Sequence, residues 1–305
     1  MTTTTKPLGI RERWLGAWLR SRLEPGSAVW HFRRDHVAAL SLAFLLAVIL
    51  VALFAPLMTP YPAQGLGEPN IVEKFQAPSL AHPMGTDSLG RDVWARIVYG
   101  ARVSLLIGFA VVGLGAVVGS SLGAVAGYFG GWTDEVIMRI TDIFLAFPPL
   151  LLAITFTAVL GPSVRNTIIA IAITWWPWYT RIVRGQVISV RERDFVKAAR
   201  GIGVDDLTII WRHIVPNVMG PVLVQATLDL GAAILTAAAL SFLGLGTRPP
   251  TADWGVMVDE GRQHLLAGRW WLAVFPGLAL FLTTLSLNLV GDGARDAADP
   301  KTRSV

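Results

Sequence analysis

The stretch Val37–Leu57 reads VAALSLAFLLAVILVALFAPL and contains no charged residue. A helix needs about 20 apolar residues to cross the ~30 Å hydrocarbon core of a bilayer, so this stretch predicts a transmembrane helix. Further apolar runs, with few charges inside them, follow at 103–133, 143–164, 166–190, 213–247 and 270–291. We therefore predict an all-α membrane protein with six transmembrane helices.

The composition of the whole chain agrees with this class. Hydrophobic residues make up 53% and charged residues 15% of the 305 positions, whereas soluble domains carry about 25% charged residues. The chain is too apolar to be disordered, and it has too few charges to cover a water-soluble core of its size. It contains no cysteine, which excludes disulfides, a thiolate nucleophile and a zinc finger.

The basic residues indicate how the chain is oriented. Of the 26 Lys and Arg residues, 17 lie in the N-terminal tail, around 181–212 and in the C-terminal tail, and 8 lie in the opposite loops. Because Lys and Arg concentrate on the cytoplasmic side, we predict that both termini of this multi-pass protein are cytoplasmic. The net charge of +5 sits at the ends of apolar runs, so no nucleic-acid partner is expected.

The parts of the chain outside the predicted spans also carry local patterns. Residues 191–217 are predicted to form two short cytoplasmic helices, with Asp205 or Asp206 capping the second and Pro216 ending it. Apolar residues at helical spacing in the basic N-terminal tail predict an amphipathic helix on membrane lipid, and a disordered tail is the alternative. The predicted division is a cytoplasmic tail at 1–35, a first helix at 36–58, a periplasmic loop at 59–99, a five-helix core at 100–291 and a cytoplasmic tail at 292–305.

Small residues recur at every fourth position in the second run. Each step of four drifts only ~40° around a helix, so these glycines form one smooth groove that a second helix can approach closely. The pattern predicts helix packing and not chemistry. The residues are Gly115, Gly119, Gly123 and Gly127.

The same run contains a formal match to the hydrolase motif Gly-x-Ser-x-Gly at 119–123. An intramembrane serine protease is therefore an alternative function. Such an enzyme needs a histidine within a later span, but His213 is at the very edge of the fifth run and His264 lies outside the runs. The alternative is therefore remote, and we expect no catalytic residue in this chain.

Two further kinds of site were weighed. His82, Asp87 and Asp92 allow a metal site, but a Pro-Met-Gly turn followed by an Asp helix cap explains them better, so no metal is expected. None of the four lysines follows a glycine, so the phosphate-binding loop Gly-x-x-x-x-Gly-Lys-Ser/Thr is absent. If the protein moves solute with ATP, another chain must hydrolyse that ATP.

Asp229 is the ionisable residue deep inside the fifth run. Intramembrane carboxylates usually face a bundle interior or a water-filled cavity, and Gln225 and Thr236 lie within about 60° of Asp229 on a helix. We hypothesise that these three residues line a translocation pathway that favours solutes with a positive end. A structural ion pair with an arginine of a partner chain is the alternative.

The segment 195–217 carries a resemblance to a known family. It resembles the cytoplasmic coupling loop of ABC importer permeases, which reads Glu-Ala-Ala, three residues, Gly, and then a stretch ending in Pro. Lys197 replaces the usual acid. The resemblance implies a role in ATPase coupling for Lys197, Ala198, Ala199, Arg200, Gly203 and Pro216.

Residues 82–102, 240–255 and 288–301 resemble the C-type permease subunit of dipeptide, oligopeptide, glutathione and nickel importers. The resemblance implies a type I ABC importer permease fold, a location in a bacterial inner (plasma) membrane, and a transport subunit without its own ATPase site or cofactor. The implied partners are a B-type permease in a heterodimer, two ATPase subunits that bind ATP and Mg, and a periplasmic or lipid-anchored solute-binding protein. The implied solute is a di- or oligopeptide, with glutathione, a nickel chelate or another solute as the alternative.

Overall fold

The computed structural model describes residues 35–298, and within them it is built from helices without a strand, apart from one isolated bridge between Thr86 and Asp92. The amphipathic helix predicted in the N-terminal tail and the end of the C-terminal tail lie outside the described residues. The helices are α1 His36–Leu53, α2 Pro62–Gly65, α3 Val93–Phe129, α4 Gly131–Leu145, α5 Pro149–Leu160, α6 Val164–Arg191, α7 Asp194–Gly201, α8 Asp206–Phe242, α9 Trp254–Arg262 and α10 Trp271–Ala298.

Not every predicted span is an apolar helix of full length. Among the described residues, α1, α3, α8 and α10 are long and apolar enough to cross a membrane, and α4 with α5 adds a fifth span if the bent pair is counted as one. Helix α6 has 28 residues, about 42 Å at 1.5 Å per residue, but it is more polar than the other four. The predicted count of six is therefore not reached by length and composition, and α6 accounts for the difference.

The third predicted span, 143–164, is not one continuous helix. Helix α4 ends at Leu145, α5 begins at Pro149, and their axes meet at 88°. Pro148 and Pro149 lack the backbone N–H of a helix interior, and each disfavours helical geometry in the residue before it. The run is therefore bent and not one straight helix, because proline counts as uncharged in a charge-free run and still breaks a helix.

Helix α3 packs its glycine-rich face against α6. A Cβ atom added at Gly123 would lie 2.5 Å from the carbonyl oxygen of Thr180, and one at Gly127 would lie 2.8 Å from Cβ of Val187. At Gly119 it would clash with the backbone carbonyl of Trp176, whereas at Gly115 it would make ordinary contact. The two backbones therefore approach closely over about two helical turns, from Gly119 to Gly127.

The chain between α1 and α3, residues 54–92, is folded onto the start of α3 and onto α9. We call it the 54–92 segment. Asp92 caps α3 by accepting a hydrogen bond of 2.7 Å from the backbone N–H of Ala95, and it lies 2.9 Å from Nδ1 of the buried His82. The loop predicted at 59–99 therefore ends early, because its last seven residues belong to α3.

Four charged side chains join the 54–92 segment to the two helices. Arg96 of α3 donates hydrogen bonds of 2.8 Å to Asp87 and 2.5 Å to Glu260 of α9. Arg91 donates a bond of 2.7 Å to the same carboxylate of Asp87. Both arginines and Asp87 are buried. We call Asp87, Arg91, Arg96 and Glu260 the buried charge cluster.

Candidate functional site

The loop that resembles a coupling loop consists of α7 and the first turns of α8. Asp205 caps α8 by accepting a hydrogen bond of 2.8 Å from the backbone N–H of Thr208, and this bond lowers the pKa of the Asp205 carboxyl. A π-helical turn at Ile209–Ile214 follows, and the helix then continues to Phe242. The prediction that Pro216 ends the helix is wrong, because the helix passes through Pro216 with the loss of only one backbone donor.

Gly203 makes the turn between α7 and α8. Its φ is +82°, a conformation that glycine adopts without the steric cost of a side chain. A Cβ atom at this position would meet no atom of the chain within 4 Å. Glycine is therefore required here by the backbone conformation and not by packing within the chain.

The loop exposes large apolar side chains. Ile202 is 83% exposed and Leu207 is 61% exposed, and Phe195 and Trp211 are also exposed. Val196, Ala199 and the three isoleucines of the π-helical turn are buried and hold the loop to the rest of the chain. The exposed apolar side chains form a surface without a partner in the described chain, and such patches mark interaction sites. We call Phe195, Ile202, Leu207 and Trp211 the exposed apolar face.

Polar contacts fix the loop to the end of α3. The hydroxyl of Tyr128 donates a hydrogen bond of 2.5 Å to Asp206, and the guanidinium of Arg200 lies 5.2 Å from the centre of the Tyr128 ring. Arg191 donates a bond of 2.8 Å to the carbonyl of Gly127. Sequence reasoning missed Tyr128, since 78 residues separate it from Asp206 and no local pattern joins them.

The other predicted coupling residues are placed around these contacts. Lys197 is exposed, and its ammonium lies 3.6 Å from Glu192. Ala198 and Arg200 are exposed, and Pro216 lines an open groove with Leu207 and Trp211. Of the predicted coupling residues, Lys197, Ala198 and Arg200 are therefore exposed, Ala199 is buried, and Pro216 lies beside two members of the exposed apolar face.

A cavity of about 740 Å³ lies between α5, α6 and α8. The predicted residues Gln225, Asp229 and Thr236 all line it. Gln225 donates a hydrogen bond of 2.8 Å from its amide to the carboxylate of Asp229. The remaining lining residues are Pro149, Leu150, Trp175, Trp178, Ile182 and Ala232. Sequence reasoning missed the two tryptophans; their spacing of three residues on α6 is the signal that places them on one helical face.

The residues considered for a serine protease and for a metal site are engaged in other contacts. The hydroxyl of Ser121, the central serine of the Gly-x-Ser-x-Gly match, donates a hydrogen bond of 2.7 Å to the carbonyl of Val117 in its own helix. His82 and Asp92 form a hydrogen-bonded pair. Among residues 35–298, no group of three or more His, Asp or Glu side chains is arranged to hold a metal ion.

Comparison with known families identifies the chain. Residues 119–304, more than half of the chain, match the family described as binding-protein-dependent transport system inner membrane component. The chain belongs to this family. Residues 26–78 also match the N-terminal transmembrane domain of oligopeptide transport permease C. The resemblance to importer permeases inferred from the sequence is thus confirmed.

Two relatives illustrate the similarity of this inner membrane component to named transport proteins. The dipeptide transport system permease protein DppC of Alkalihalophilus pseudofirmus strain OF4 is 47% identical over 272 residues, which are 89% of this chain and 88% of that protein. The glutathione transport system permease protein GsiD of Escherichia coli O157:H7 is 44% identical over 298 residues, which are 98% of this chain and 94% of that protein.

The fold also has a solved counterpart. The inward-facing MetNI methionine ABC transporter contains a chain that matches with a TM-score of 0.52 and 19% identity. The match covers 67% of this chain and 97% of that chain. The identity is low, so this likeness shows the fold alone, and it confirms the predicted ABC importer permease fold. The protein is therefore a multi-pass permease of the inner membrane.

Proposed function

We propose that this permease imports dipeptides or a related peptide-like solute, glutathione among them, by ATP-driven transport. The named functions of DppC and GsiD, at 47% and 44% identity, support this solute class. The sequence contains no phosphate-binding loop, so the ATP and Mg are bound by two separate ATPase subunits. A B-type permease completes the translocation pathway, and a periplasmic or lipid-anchored solute-binding protein delivers the solute.

The exposed apolar face is the observation that carries the proposal. Ile202 and Leu207 are exposed at the turn between α7 and α8, where water would otherwise cover an apolar surface. An ATPase subunit docked on this surface buries it. Because Tyr128 and Arg191 fix the same region to α3, a movement of the docked ATPase is passed to the transmembrane helices as a rigid-body tilt.

The proposed orientation follows from the docking of the ATPase on the exposed apolar face. The loop formed by α7 and the start of α8 lies in the cytoplasm together with both termini, and the 54–92 segment lies in the periplasm. The excess of Lys and Arg around 181–212 supports this orientation. The cavity lined by Gln225, Asp229 and Thr236 then lies along the membrane and forms one wall of the translocation pathway.

The test is uptake by the reconstituted transporter. The proteoliposomes contain this chain, its partner permease, its ATPases and its solute-binding protein. We expect them to accumulate a radiolabelled dipeptide only when ATP is supplied on the side of the membrane that carries the ATPases. Parallel assays with glutathione and with a nickel chelate separate the solutes. Uptake that persists without the ATPase subunits, or failure of the chain to copurify with any ATPase, would contradict the proposal.

A further inference from the structure

The 740 Å³ cavity combines one carboxylate with aromatic walls. Asp229 is the ionisable side chain among the lining residues, and Trp175 and Trp178 stand on the facing helix α6. The volume lies within the range of roughly 300–1,000 Å³ that is typical of small-molecule sites. Trp178 is 50% exposed, so the cavity is accessible from the surface of the chain. Its chemistry therefore combines a negative charge with apolar, electron-rich ring faces.

The positive charges nearest to the cavity along α6 are already paired. Arg181 donates a hydrogen bond of 2.6 Å to Asp142, and Arg184 donates two bonds of 2.5 Å and 2.6 Å to Asp134. Both of these acids belong to α4. In the described part of the chain, no salt bridge to Asp229 is formed. The carboxylate is thus without a cationic partner, although cations lie one to two turns from Trp178 on the same helix.

The position of the carboxylate is fixed by polar neighbours. The amide of Gln225 donates to its Oδ1 atom at 2.8 Å. The hydroxyl of Tyr179 is buried and interacts with the same carboxylate. The side chain is therefore oriented toward the cavity before any ligand is bound.

We propose that this cavity binds the protonated amine of the solute, with Asp229 as its counter-ion and Trp175 and Trp178 as aromatic walls. The proposal rests on the proposed function, because it assigns the solute of that same pathway. A carboxylate without a cationic partner is costly to keep inside a membrane protein, and an ammonium group both neutralises it and interacts favourably with indole faces. Solutes with a free amino terminus are therefore preferred over solutes in which that amine is blocked.

The first experiment measures the electrostatics of the cavity without any solute. The sequence contains no cysteine, so Thr236→Cys introduces a unique thiol into this chain. The measured quantity is the rate of labelling by a trimethylammonium methanethiosulfonate divided by the rate of labelling by the sulfonate reagent, in membranes that contain the assembled transporter. We expect this rate ratio to be higher at Thr236→Cys than at Ser79→Cys, which lies outside the cavity. Adding Asp229→Asn is expected to lower this rate ratio on the order of tenfold.

The labelling rates can also contradict the role assigned to the Asp229 carboxylate. An unchanged ratio in the Asp229→Asn background would show that the carboxylate does not set the potential of the cavity. Failure of both reagents to label Thr236→Cys would show that the cavity does not admit a small ligand. Both outcomes overturn the inference and leave the proposed transport function untouched.

The second experiment measures amine selectivity in the reconstituted transporter. We expect wild type to take up alanyl-alanine better than N-acetyl-alanyl-alanine, Asp229→Asn to reduce this preference on the order of tenfold, and Asp229→Glu to retain most of it. Asp259→Asn, the same change on α9 outside the cavity, serves as the control. Equal loss of uptake for both peptides, or loss of the assembled complex, would assign Asp229 to a structural pair and overturn the proposal. Wild type that transports neither peptide with ATP would instead contradict the proposed function.

Discussion

The 54–92 segment and the loop formed by α7 and the start of α8 differ in which kind of side chain they bury and which they expose. The first holds buried charges: Asp87 of the segment accepts a hydrogen bond from Arg96 of α3, and both side chains are almost inaccessible to solvent. The second exposes its apolar side chains, with Ile202 and Leu207 directed away from the rest of the chain. The carboxylates of the buried charge cluster thus find their cations within this chain, whereas the exposed apolar face has no partner among the described residues.

The difference has a direct energetic meaning. A buried arginine is tolerated only while its carboxylate partners remain in place, because an isolated charge in the interior costs several kcal/mol. An exposed isoleucine costs the isolated chain little, but its burial against a partner contributes about 1.5–3 kcal/mol. Substitutions in the 54–92 segment should therefore act on folding, and substitutions in the exposed apolar face should act on assembly.

The largest effect is expected from Arg96→Ala. The change removes one of the two arginines that bridge Asp87 and Glu260 and leaves Arg91 as their one remaining cation in the cluster, and removal of one partner of a buried ion pair costs about 3–5 kcal/mol. We expect a marked fall in the thermal unfolding midpoint of the purified protein. The control is Arg139→Ala, whose side chain is 77% exposed beside Glu135; equal midpoints for the two variants would refute the difference between the regions.

Gly203→Asp is expected to act on coupling while the fold is retained. No atom of the chain lies within 4 Å of the new Cβ, so the cost within the chain is the positive φ, about 1–3 kcal/mol for a strained residue. The charged side chain also enters the surface on which we propose that the ATPase docks. We expect transport to fall by about tenfold or more while the chain remains inserted. Gly201→Ala, two residues earlier in α7, is the control and should transport normally.

Ile202→Ser tests the apolar contact alone. Loss of the buried aliphatic surface should weaken docking of the ATPase by about 1.5 kcal/mol, which is roughly tenfold in affinity. The measurement is the amount of ATPase that copurifies at a series of concentrations, and the unfolding midpoint of the isolated chain should not change. Leu266→Ser removes a fully exposed leucine next to α9; if it weakens docking as much, the exposed apolar face is not the ATPase surface.

A smaller effect is expected from Tyr128→Phe. This change removes the hydrogen bond to Asp206 and keeps the ring beside Arg200, so the loss is about 1 kcal/mol. We expect the ATPase still to bind, with a several-fold lower ratio of solute transported to ATP hydrolysed. Tyr61→Phe, which keeps its stacking on His82 in the 54–92 segment, should leave that ratio unchanged.

Ser79→Cys tests the orientation with the least disturbance. Ser79 is exposed in the 54–92 segment, and the new thiol is the only one in the chain. An impermeant thiol reagent should label it from the periplasmic side of intact cells. Labelling that requires opening of the inner membrane would reverse the proposed orientation and, with it, the side on which each of the two regions finds its partner.

Local patterns predicted much of this molecule correctly. The apolar runs gave the class of fold, and the spacing of the glycines in α3 placed a close helix contact that α6 fills at Gly119, Gly123 and Gly127. The cap at Asp205 was also predicted. These features depend on residues within one or two helical turns of each other, and the printed sequence contains all of them.

The predictions failed where a local rule was applied too simply. The run 143–164 was read as one span because it lacks charge, yet Pro148 and Pro149 break the helix. Pro216 was read as a helix end, yet the helix continues through it after a π-helical turn. In each case the outcome depends on how the backbone satisfies its hydrogen bonds, which the count of apolar residues does not include.

By itself, the sequence determined that the chain lies in a membrane. Charged residues are costly in hydrocarbon, so long runs that are nearly free of charge indicate segments that cross it. It also determined where α3 can approach another helix, because the absence of side chains at one face follows from spacing alone. Only the tertiary structure decided that Arg96 meets Glu260, 164 residues away, and that Trp178 faces the same cavity as Asp229. Those contacts join side chains from separate helices, and their geometry is fixed by the packing of the whole bundle and not by any neighbour along the chain.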